Sequence, residues 1–389
     1  MHHQFDDIRP YTDAEIPAAM LRIADSEIFA DMSQSVFPHE DVENVRNMVR
    51  NIQTVDDFQR KAMYPFIRSI IENSIEQLDY QGIDYLEPGK NYLFISNHRD
   101  IVLDASIFQT ILLDNNLKTS EITFGSNLMH PQLVVDIGKA NKMFKVIRNS
   151  NSREFLYNSM ILSKYIRHTI REKGESIWIA QRNGRTKDGN DTTDQGIIKM
   201  FCMSDTEDLK RSLSELNIVP LSISYEIESC DFLKTRELYL SRNGAKYVKQ
   251  PDEDLHSIQT GVLQRKGKVH LSICKPITVE DIDFQYNVPN EFYKKIASLI
   301  DRRIRENYVL HNNNYIANDL RSGTGLYRDH YTPEEKERFE ERCREMLRRV
   351  EGERDVLMRI FLGIYANPVE NKFKIHTSPP TPLHRRGEK

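Results

Sequence analysis

Residues 92–104 read YLFISNHRDIVLD, and the predicted fold is built outward from this strand-like run and the residues after it. A compact apolar run ends at Ser96, a polar cluster around His98 follows at once, and residues rich in Leu and Ile come next. A short apolar run bounded by polar residues is typical of a buried strand, and the apolar stretch beyond the loop is typical of a helix. The sequence therefore predicts a strand, a loop that carries His98, and a helix, in that order.

Further apolar runs of the same kind follow along the chain, at 176–180, 218–225 and 269–274. The run at 269–274 alternates between apolar and polar residues, as a half-exposed strand does. Between the strands, 153–173 is predicted to be a helix that ends at Gly174. Strands that alternate with helices are typical of an α/β layer. We predict an α/β fold with a central, mostly parallel sheet flanked by helices, and functional residues where strands end.

Both ends of the chain are predicted to be helical. Segments 44–59 and 65–78 carry apolar residues at helical spacing, and Thr332 begins a capping box ahead of a charged helix. The most apolar stretch, 356–365, is interpreted as a helix packed against the core, with an interfacial membrane-contact segment as the alternative. The predicted organisation has four parts: an N-terminal helical extension at 1–79, an α/β domain at 80–305, a C-terminal helical extension at 306–370 and a disordered tail at 371–389.

The composition is that of a folded globular protein. Hydrophobic residues make up 39% of the 389 residues and charged residues 29%, so the signature of a disordered chain is absent. The formal net charge of -4 provides no overall positive field, and a nucleic-acid-binding module is therefore not expected. Any anion must instead bind to a local cluster of basic residues.

The cysteines and the start of the sequence favour a cytoplasmic protein. The 4 cysteines form no CxxC pair and are interpreted as reduced thiols. The sequence begins MHHQFDDIRP, without the basic start and apolar core of a signal peptide. No apolar run reaches the roughly 18 residues that indicate a membrane span. We therefore expect a cytoplasmic protein that at most lies peripherally on the inner face of a membrane.

His98 is the candidate catalytic residue. An acidic side chain near a histidine can hold the imidazole in one tautomer and stabilise the imidazolium. Asp100 and Asp104 both lie close to His98 in sequence. The alternative interpretation is a helix start in which Asp100 caps the helix and His98 merely packs.

Two later segments are candidate anion sites. Basic residues are interleaved with apolar ones at 138–149, and 180–191 combines glycines with Arg185 and Lys187. A guanidinium fork and an ammonium group both suit phosphate, and glycine lets the backbone approach a ligand closely. The alternatives are a solvated helix face for the first segment and an exposed turn for the second. The end of the second segment lacks the ligand spacing of a calcium loop, so no metal is expected there.

These segments, together with the strand at 218–225, resemble the four blocks of the glycerol-3-phosphate and lysophosphatidate acyltransferase family. The resemblance covers roughly residues 80–230. Its four parts follow in the family's order: Asn97, His98 and Arg99 match the first block, 144–148 resembles the second, Gly184 and Arg185 resemble part of the third, and Val219 and Pro220, followed by Ser-Ile-Ser-Tyr, are similar to the fourth.

The sequence departs from the family pattern at two places. The family has an Asp five positions after its His, whereas Leu103 occupies that position here and Asp104 follows it. We favour Asp104 as the orienting acid because a local bulge can absorb one residue, and Asp100 remains the alternative. The third block also lacks the family's Glu, whose position is held by Arg182 or Asn183 according to the alignment.

The resemblance implies an O-acyltransferase that moves a fatty acyl chain from an acyl-carrier-protein or coenzyme A thioester to glycerol 3-phosphate or 1-acylglycerol 3-phosphate. His98 is implied as the general base and Asp104 as the acid that orients it. Substrate contacts are expected from polar and basic residues of the blocks: Asn97, Arg99, Arg148, Gly184, Arg185 and Lys187. We expect no metal and no cofactor beyond the thioester co-substrate. We also expect that the protein can contact a membrane peripherally.

Two other functions remain open from the sequence. In a thioester hydrolase, water would replace the acceptor at His98, but arginines suited to an acceptor phosphate argue against this. In a non-catalytic lipid-binding protein, the missing Glu would mark lost chemistry, but the intact Asn97-His98-Arg99 argues against that.

Overall fold

The computed structural model describes residues 4–147, 152–244, 247–250 and 252–377. Seven strands in these ranges form one sheet: β1 (Ile75–Gln81), β2 (Leu93–Ser96), β3 (Glu121–Gly125), β4 (Met143–Val146), β5 (Ile177–Ala180), β6 (Ile218–Tyr225) and β7 (Gly267–Ile273). Their order across the sheet is β1-β7-β6-β2-β5-β3-β4. All neighbours pair in parallel except β6 and β7, which are antiparallel.

The same ranges contain seventeen α-helices: α1 (Ile16–Ala24), α2 (Phe29–Val36), α3 (Val42–Arg50), α4 (Val55–Phe58), α5 (Tyr64–Ser74), α6 (Leu103–Asp114), α7 (Gln132–Ala140), α8 (Ser152–His168), α9 (Gln195–Cys202), α10 (Leu209–Ser214), α11 (Asp231–Leu240), α12 (Glu253–Leu263), α13 (Val279–Ile282), α14 (Pro289–Asn307), α15 (Asn312–Ser322), α16 (Pro333–Leu347) and α17 (Arg354–Thr377).

Helices cover both faces of the sheet, which explains why its central strands are continuous apolar runs. Every residue of β2 and β6 is buried. Successive side chains of a strand point to opposite faces. Leu93 and Ile95 therefore pack in one core with α8, α9 and α14, whereas Phe94 packs in a second core with α5 and α6. The predicted α/β fold, with a mostly parallel sheet flanked by helices, is confirmed.

Five neighbouring strands, β6, β2, β5, β3 and β4, run parallel and end at the same edge of the sheet. His98 follows β2 at this edge, and 182–187 follow β5. Arg148 follows β4, but it lies outside the described residues. Ligands of open α/β sheets bind beyond the carboxyl ends of the strands, so the fold gathers the candidate residues where a ligand is expected.

The N-terminal helices pack onto α7. Ile23 and Val49 share an apolar core with Ala140. Arg22 donates two hydrogen bonds of 2.8 Å to the buried carboxylate of Asp136. The first helices are therefore docked on the α/β layer by both apolar and ionic contacts.

The helix predicted at 65–78 is wrong beyond Ser74. Helix α5 ends there, and Ile75–Gln81 form β1, which pairs in parallel with β7. Ile75 and Leu78 continue the helical spacing of the apolar residues before them. Pairing of the backbone with β7, almost two hundred positions away, overrides that local pattern.

The apolar stretch 356–365 lies within α17, and its interpretation as a packed helix is confirmed. Leu357, Phe361 and Tyr365 are buried in a core that α17 shares with α15 and α16. The membrane-contact alternative for this stretch is wrong because these side chains are already covered by protein. In the described ranges, no helix is both long enough and apolar enough to cross a membrane.

Helix α17 continues to Thr377, past the predicted start of the disordered tail at 371. The rest of that predicted tail, 378–389, lies outside the described residues. Residues 371–377 extend the helix by further hydrogen-bonded turns, so the predicted boundary falls too early.

Candidate active site

The imidazole of His98 and the carboxylate of Asp104 meet at the carboxyl edge of the sheet. Nδ1 of His98 lies 2.9 Å from Oδ2 of Asp104. The Asp104 side chain is fully buried, whereas the His98 side chain retains 13% of its exposure, so a solute can reach the ring. Of the two carboxylates that the sequence left open, Asp104 is the one that contacts the imidazole.

This contact fixes which nitrogen of His98 is available for chemistry. An ionised carboxylate only accepts hydrogen bonds, so the proton of a neutral imidazole lies on Nδ1 and the lone pair on Nε2. The ring also packs edge-to-face against Trp178 of β5, with 5.9 Å between the centroids. The pair can therefore present Nε2 as a base in a defined orientation.

Three further donors hold the Asp104 carboxylate. The backbone amides of Arg99 and Asp100 donate to Oδ2 at 2.6 and 2.9 Å, so the loop wraps around this oxygen. The hydroxyl of Tyr225 donates to Oδ1 at 2.7 Å. Burial and the negative charge of Asp104 raise the pKa of Tyr225 well above its ordinary value, so the phenol stays protonated.

Asp100 caps α6. Its Oδ1 accepts from the amides of Val102 and Leu103 at 2.9 and 2.8 Å, and its Oδ2 accepts from the hydroxyl of Ser229. Burial raises the pKa of Asp100, but these hydrogen bonds outweigh burial and leave the pKa below its ordinary value. The capping role considered for Asp100 in the sequence is therefore the one that its contacts support.

Asn97 joins β2 to β6 beyond the end of β2. Its side-chain amide donates to the carbonyl of Ile223 at 2.9 Å, and its side-chain oxygen accepts from the amide of Ile223 at 2.8 Å. A third hydrogen bond, of 3.1 Å, runs to Asp191. Asn97 is fully buried. A direct contact with substrate, as predicted from the sequence, would require these bonds to open.

Arg99 lies in the protein interior as part of an ionic network. Its guanidinium contacts Asp191 at 2.6 Å and Glu228 at 3.3 Å, and it lies over the ring of Tyr308 at 5.3 Å from the centroid. Lys234 also contacts Glu228, at 2.5 Å. Arg99 is fully buried, so its described contacts are with protein groups and the predicted substrate contact stays a prediction.

The loop after β5 lies directly against His98. The amide of Thr186 donates to the backbone carbonyl of His98 at 2.7 Å. Gly184 has a φ of 74°, the left-handed region that favours glycine. Lys187 forms an ion pair with Glu237, so its charge is already compensated.

Arg185 is a basic residue of this loop with a buried donor atom, NH1, that has no hydrogen-bond partner among the described residues. Its charge acts on α12: burial raises the pKa of Asp254, but hydrogen bonds from Lys249 and Asn127, together with the charge of Arg185, lower it. Arg182 is half-buried and Asn183 exposed, so neither position supplies the carboxylate that the third block of the family has.

Further buried polar atoms without a partner surround the end of β5. Buried polar atoms are nearly always hydrogen-bonded, and an unmade bond is costly. In the part of the chain that the structure describes, unpartnered atoms of this region are Nε1 of Trp178, Nε2 of Gln181, Oγ1 of Thr186 and Oδ1 of Asp191. Their concentration beside His98 indicates that polar groups of a ligand or of solvent can bind here.

Sequence reasoning did not single out Tyr225, Asp191 or Glu228 as site residues. Tyr225 is the last residue of the strand segment 218–225, and Asp191 is the last residue of the candidate anion segment 180–191. Glu228 lies three positions past Tyr225, with no pattern that marks it. Their contacts with the His98 loop span about a hundred positions, and this distance explains why local sequence could not reveal them.

The described residues contain no group of three or more His, Cys, Asp or Glu side chains placed to hold a metal ion. The absence of a metal and of a bound cofactor stays a prediction.

Comparisons with known proteins find similarity to solved structures. No protein-family model matches the sequence, and no curated protein matches it. Among solved structures, the chain is similar to the 1-acyl-sn-glycerophosphate (LPA) acyltransferase PlsC from Thermotoga maritima, with a TM-score of 0.39 and 12% sequence identity. The alignment covers 75% of this chain and 94% of that one. A similarity of this extent carries no argument about family or activity.

Proposed function

We propose that this protein transfers a fatty acyl chain from a thioester to a hydroxyl group of glycerol 3-phosphate or 1-acylglycerol 3-phosphate. The observation that carries the proposal is the contact between His98 and Asp104, which leaves Nε2 as the basic nitrogen of a partly exposed imidazole. Asn97, His98 and Arg99 are also the residues that resemble the first block of the acyltransferase family.

The transfer needs no group other than the imidazole to move protons. Nε2 of His98 takes the proton of the acceptor hydroxyl as the oxygen attacks the thioester carbonyl carbon. The carbon–sulfur bond then breaks, and the leaving thiolate takes the proton from the imidazolium. An ester and a thiol are formed, and His98 returns to its neutral form. General-base help of this kind contributes about 10²–10⁴ in rate.

The cysteines give no support to a covalent route. Burial raises the pKa of Cys202, Cys274 and Cys343 to about 12, which disfavours the reactive thiolate. Cys230 is likewise buried. Direct attack by the acceptor on the thioester is therefore the simpler mechanism.

Arg185 is the residue proposed to bind the acceptor phosphate. It has a free donor, and the hydrogen bond from Thr186 to His98 keeps its loop beside the base. A guanidinium suits phosphate because two parallel hydrogen bonds can form. Gly184 would allow the phosphate to approach the backbone closely. Lys187 would bind the phosphate only if its ion pair with Glu237 opened. The role of Arg148 stays a prediction.

The proposal includes peripheral contact with a lipid surface through three residues at the start of α8. Phe155, Leu156 and Tyr157, which we call the apolar triplet, are 63%, 60% and 67% exposed. Helix α8 begins at Ser152, six positions after β4 ends at Val146, so the triplet follows a strand that ends at the same edge of the sheet as β2. Exposed apolar side chains there suit an enzyme whose acyl chains come from, or return to, a membrane.

The test is acyl transfer by the purified protein from acyl-carrier-protein and coenzyme A thioesters. Glycerol 3-phosphate and 1-acylglycerol 3-phosphate would be offered separately, with a reaction that lacks acceptor as the control for hydrolysis. Ester product that depends on one acceptor supports the proposal and names the substrate. Fatty acid release at the same rate without acceptor would support a hydrolase, and no turnover in any mixture would support a lipid-binding role.

A further inference from the structure

Tyr225 is the last residue of β6, and its hydroxyl donates to the carboxylate oxygen of Asp104 that does not face His98. We propose that Tyr225 is a positioning residue, which locks the rotation of the Asp104 carboxylate and so keeps His98 in the tautomer with its proton on Nδ1. The kinetic part of this inference rests on the proposed function, whereas the tautomer itself can be measured without any reaction.

The sequence places Tyr225 there through the sheet. Strand β2 ends at Ser96, beside Leu221, but Asn97 extends the pairing with both backbone groups of Ile223. Alternate residues of a strand share a face. Leu221, Ile223 and Tyr225 therefore all lie in the core between the sheet and α6. Tyr225 contacts the first turn of α6 there, because that turn contains Asp104.

The distribution of donors around Asp104 shows what Tyr225 adds. Oδ2 already accepts from His98 and from the amides of Arg99 and Asp100, all within 2.9 Å. On Oδ1, the Tyr225 hydroxyl at 2.7 Å is the hydrogen-bond donor. Without it, Oδ1 would be buried with no donor among the described residues, and a partial rotation of the carboxylate towards another donor would weaken the contact of Oδ2 with His98.

A buried tyrosine hydroxyl needs a partner in any protein, so a purely structural role is the alternative to exclude. The chain contains a matched control. Tyr165 donates from a similarly buried position to the carboxylate of Glu121, in a core away from His98. Removing either hydroxyl should lower the stability of the protein, but only removal of the Tyr225 hydroxyl should change the tautomer of His98.

The experiment is ¹⁵N NMR of histidine-labelled wild type, Tyr225→Phe and Tyr165→Phe, at a pH where the rings are neutral. The wild type and Tyr165→Phe are expected to show the His98 proton on Nδ1. In Tyr225→Phe a clear fraction should move to Nε2, the tautomer that free histidine prefers. A folded Tyr225→Phe with the wild-type tautomer would overturn the proposal.

Kinetics separate this inference from the proposed function. In Tyr225→Phe, kcat should fall by about 10- to 100-fold, the range that follows loss of an outer-shell partner at a metal-binding histidine, and KM should change little. If the wild type shows no transfer, the proposed function fails while the tautomer result still decides the role of Tyr225.

A second variant covers the case in which Tyr225→Phe does not fold. Incorporation of 3-fluorotyrosine at position 225 preserves the shape and makes the hydroxyl a stronger donor. It should draw more charge from Asp104 and move the Nδ1 proton resonance of His98 upfield. An unchanged resonance would contradict the proposed connection between Tyr225 and His98.

Discussion

The carboxylate of Asp104 contacts the imidazole of His98 at 2.9 Å, whereas Asp100, nearer in sequence, turns away to cap α6. Asp104→Asn should therefore lower kcat by about 10³- to 10⁴-fold, because an amide favours the wrong tautomer of the base. Asp100→Asn retains a capping oxygen and should keep kcat within a few-fold of wild type while lowering the urea midpoint. Equal losses of kcat in the two variants would contradict the assignment of Asp104.

Arg185→Ala should impair use of the phosphate-bearing acceptor. A hydrogen bond to a charged group contributes about 1.5–3 kcal/mol, so kcat/KM for the acceptor should fall roughly 10- to 100-fold, mainly through KM. Lys187→Ala is the comparison within the same loop, and its effect should be smaller because Lys187 is paired with Glu237. Steady-state kinetics with varied acceptor measures both. A larger effect at Lys187 would place the phosphate elsewhere.

Replacing the apolar triplet should weaken binding to lipid vesicles. The variant Phe155→Ser with Leu156→Ser and Tyr157→Ser removes exposed apolar area, so co-sedimentation with anionic vesicles should fall at least several-fold. Leu263→Ser, a single exposed apolar side chain at the end of α12, is the control and should sediment as wild type. Undiminished sedimentation of the triple variant would show that the membrane contact lies elsewhere or is absent.

Acid should weaken the docking of the N-terminal helices. Burial raises the pKa of Asp136, but hydrogen bonds from Arg22, Tyr11 and Gln132 outweigh burial and lower the pKa below its ordinary value of 3.8. The folded state thus binds this proton less readily than the unfolded state. The stabilisation is complete above pH 3.8 and is lost as the pH falls through the lower folded pKa.

Urea unfolding of wild type and Asp136→Asn measures this pH dependence. At neutral pH the variant should be less stable than wild type, and the difference should shrink as the pH falls below 3.8. A difference that stays constant over this range would show that the charge of Asp136 does not hold the contact with Arg22.

The sequence predicts those parts of the fold whose pattern is local. The central strands β2, β5 and β6 are buried on both faces and therefore stand out as apolar runs. Strand β1 was missed because Ile75 and Leu78 fit the helical spacing of α5, and only pairing with β7 makes them a strand. Strand β3 was also not predicted. It begins with Glu121, a polar residue whose burial depends on the distant residues Tyr165 and Lys173.

In the candidate site too, the sequence predicts local contacts and misses those between distant segments. His98 and Asp104 belong to one loop and helix start, so Asp104 was one of the two candidate acids, and the family resemblance favoured it over Asp100. The burial of Arg99 against Asp191 and Glu228 could not be predicted, because the chain brings these residues together only through the sheet. Contacts that hold a site in place across the sheet are thus harder to predict from sequence than contacts within one loop.

Acyl transfer by wild type, His98→Ala and His168→Ala shows whether His98 is the base of the reaction. His168 is a matched control because its Nδ1 lies 2.8 Å from Glu172 and its side chain is also partly exposed, but it lies at the end of α8. If His98 is the base, wild type and His168→Ala should form acceptor-dependent ester product, and His98→Ala should lose about 10²–10⁴ in rate. Undiminished transfer by folded His98→Ala would contradict this role of His98.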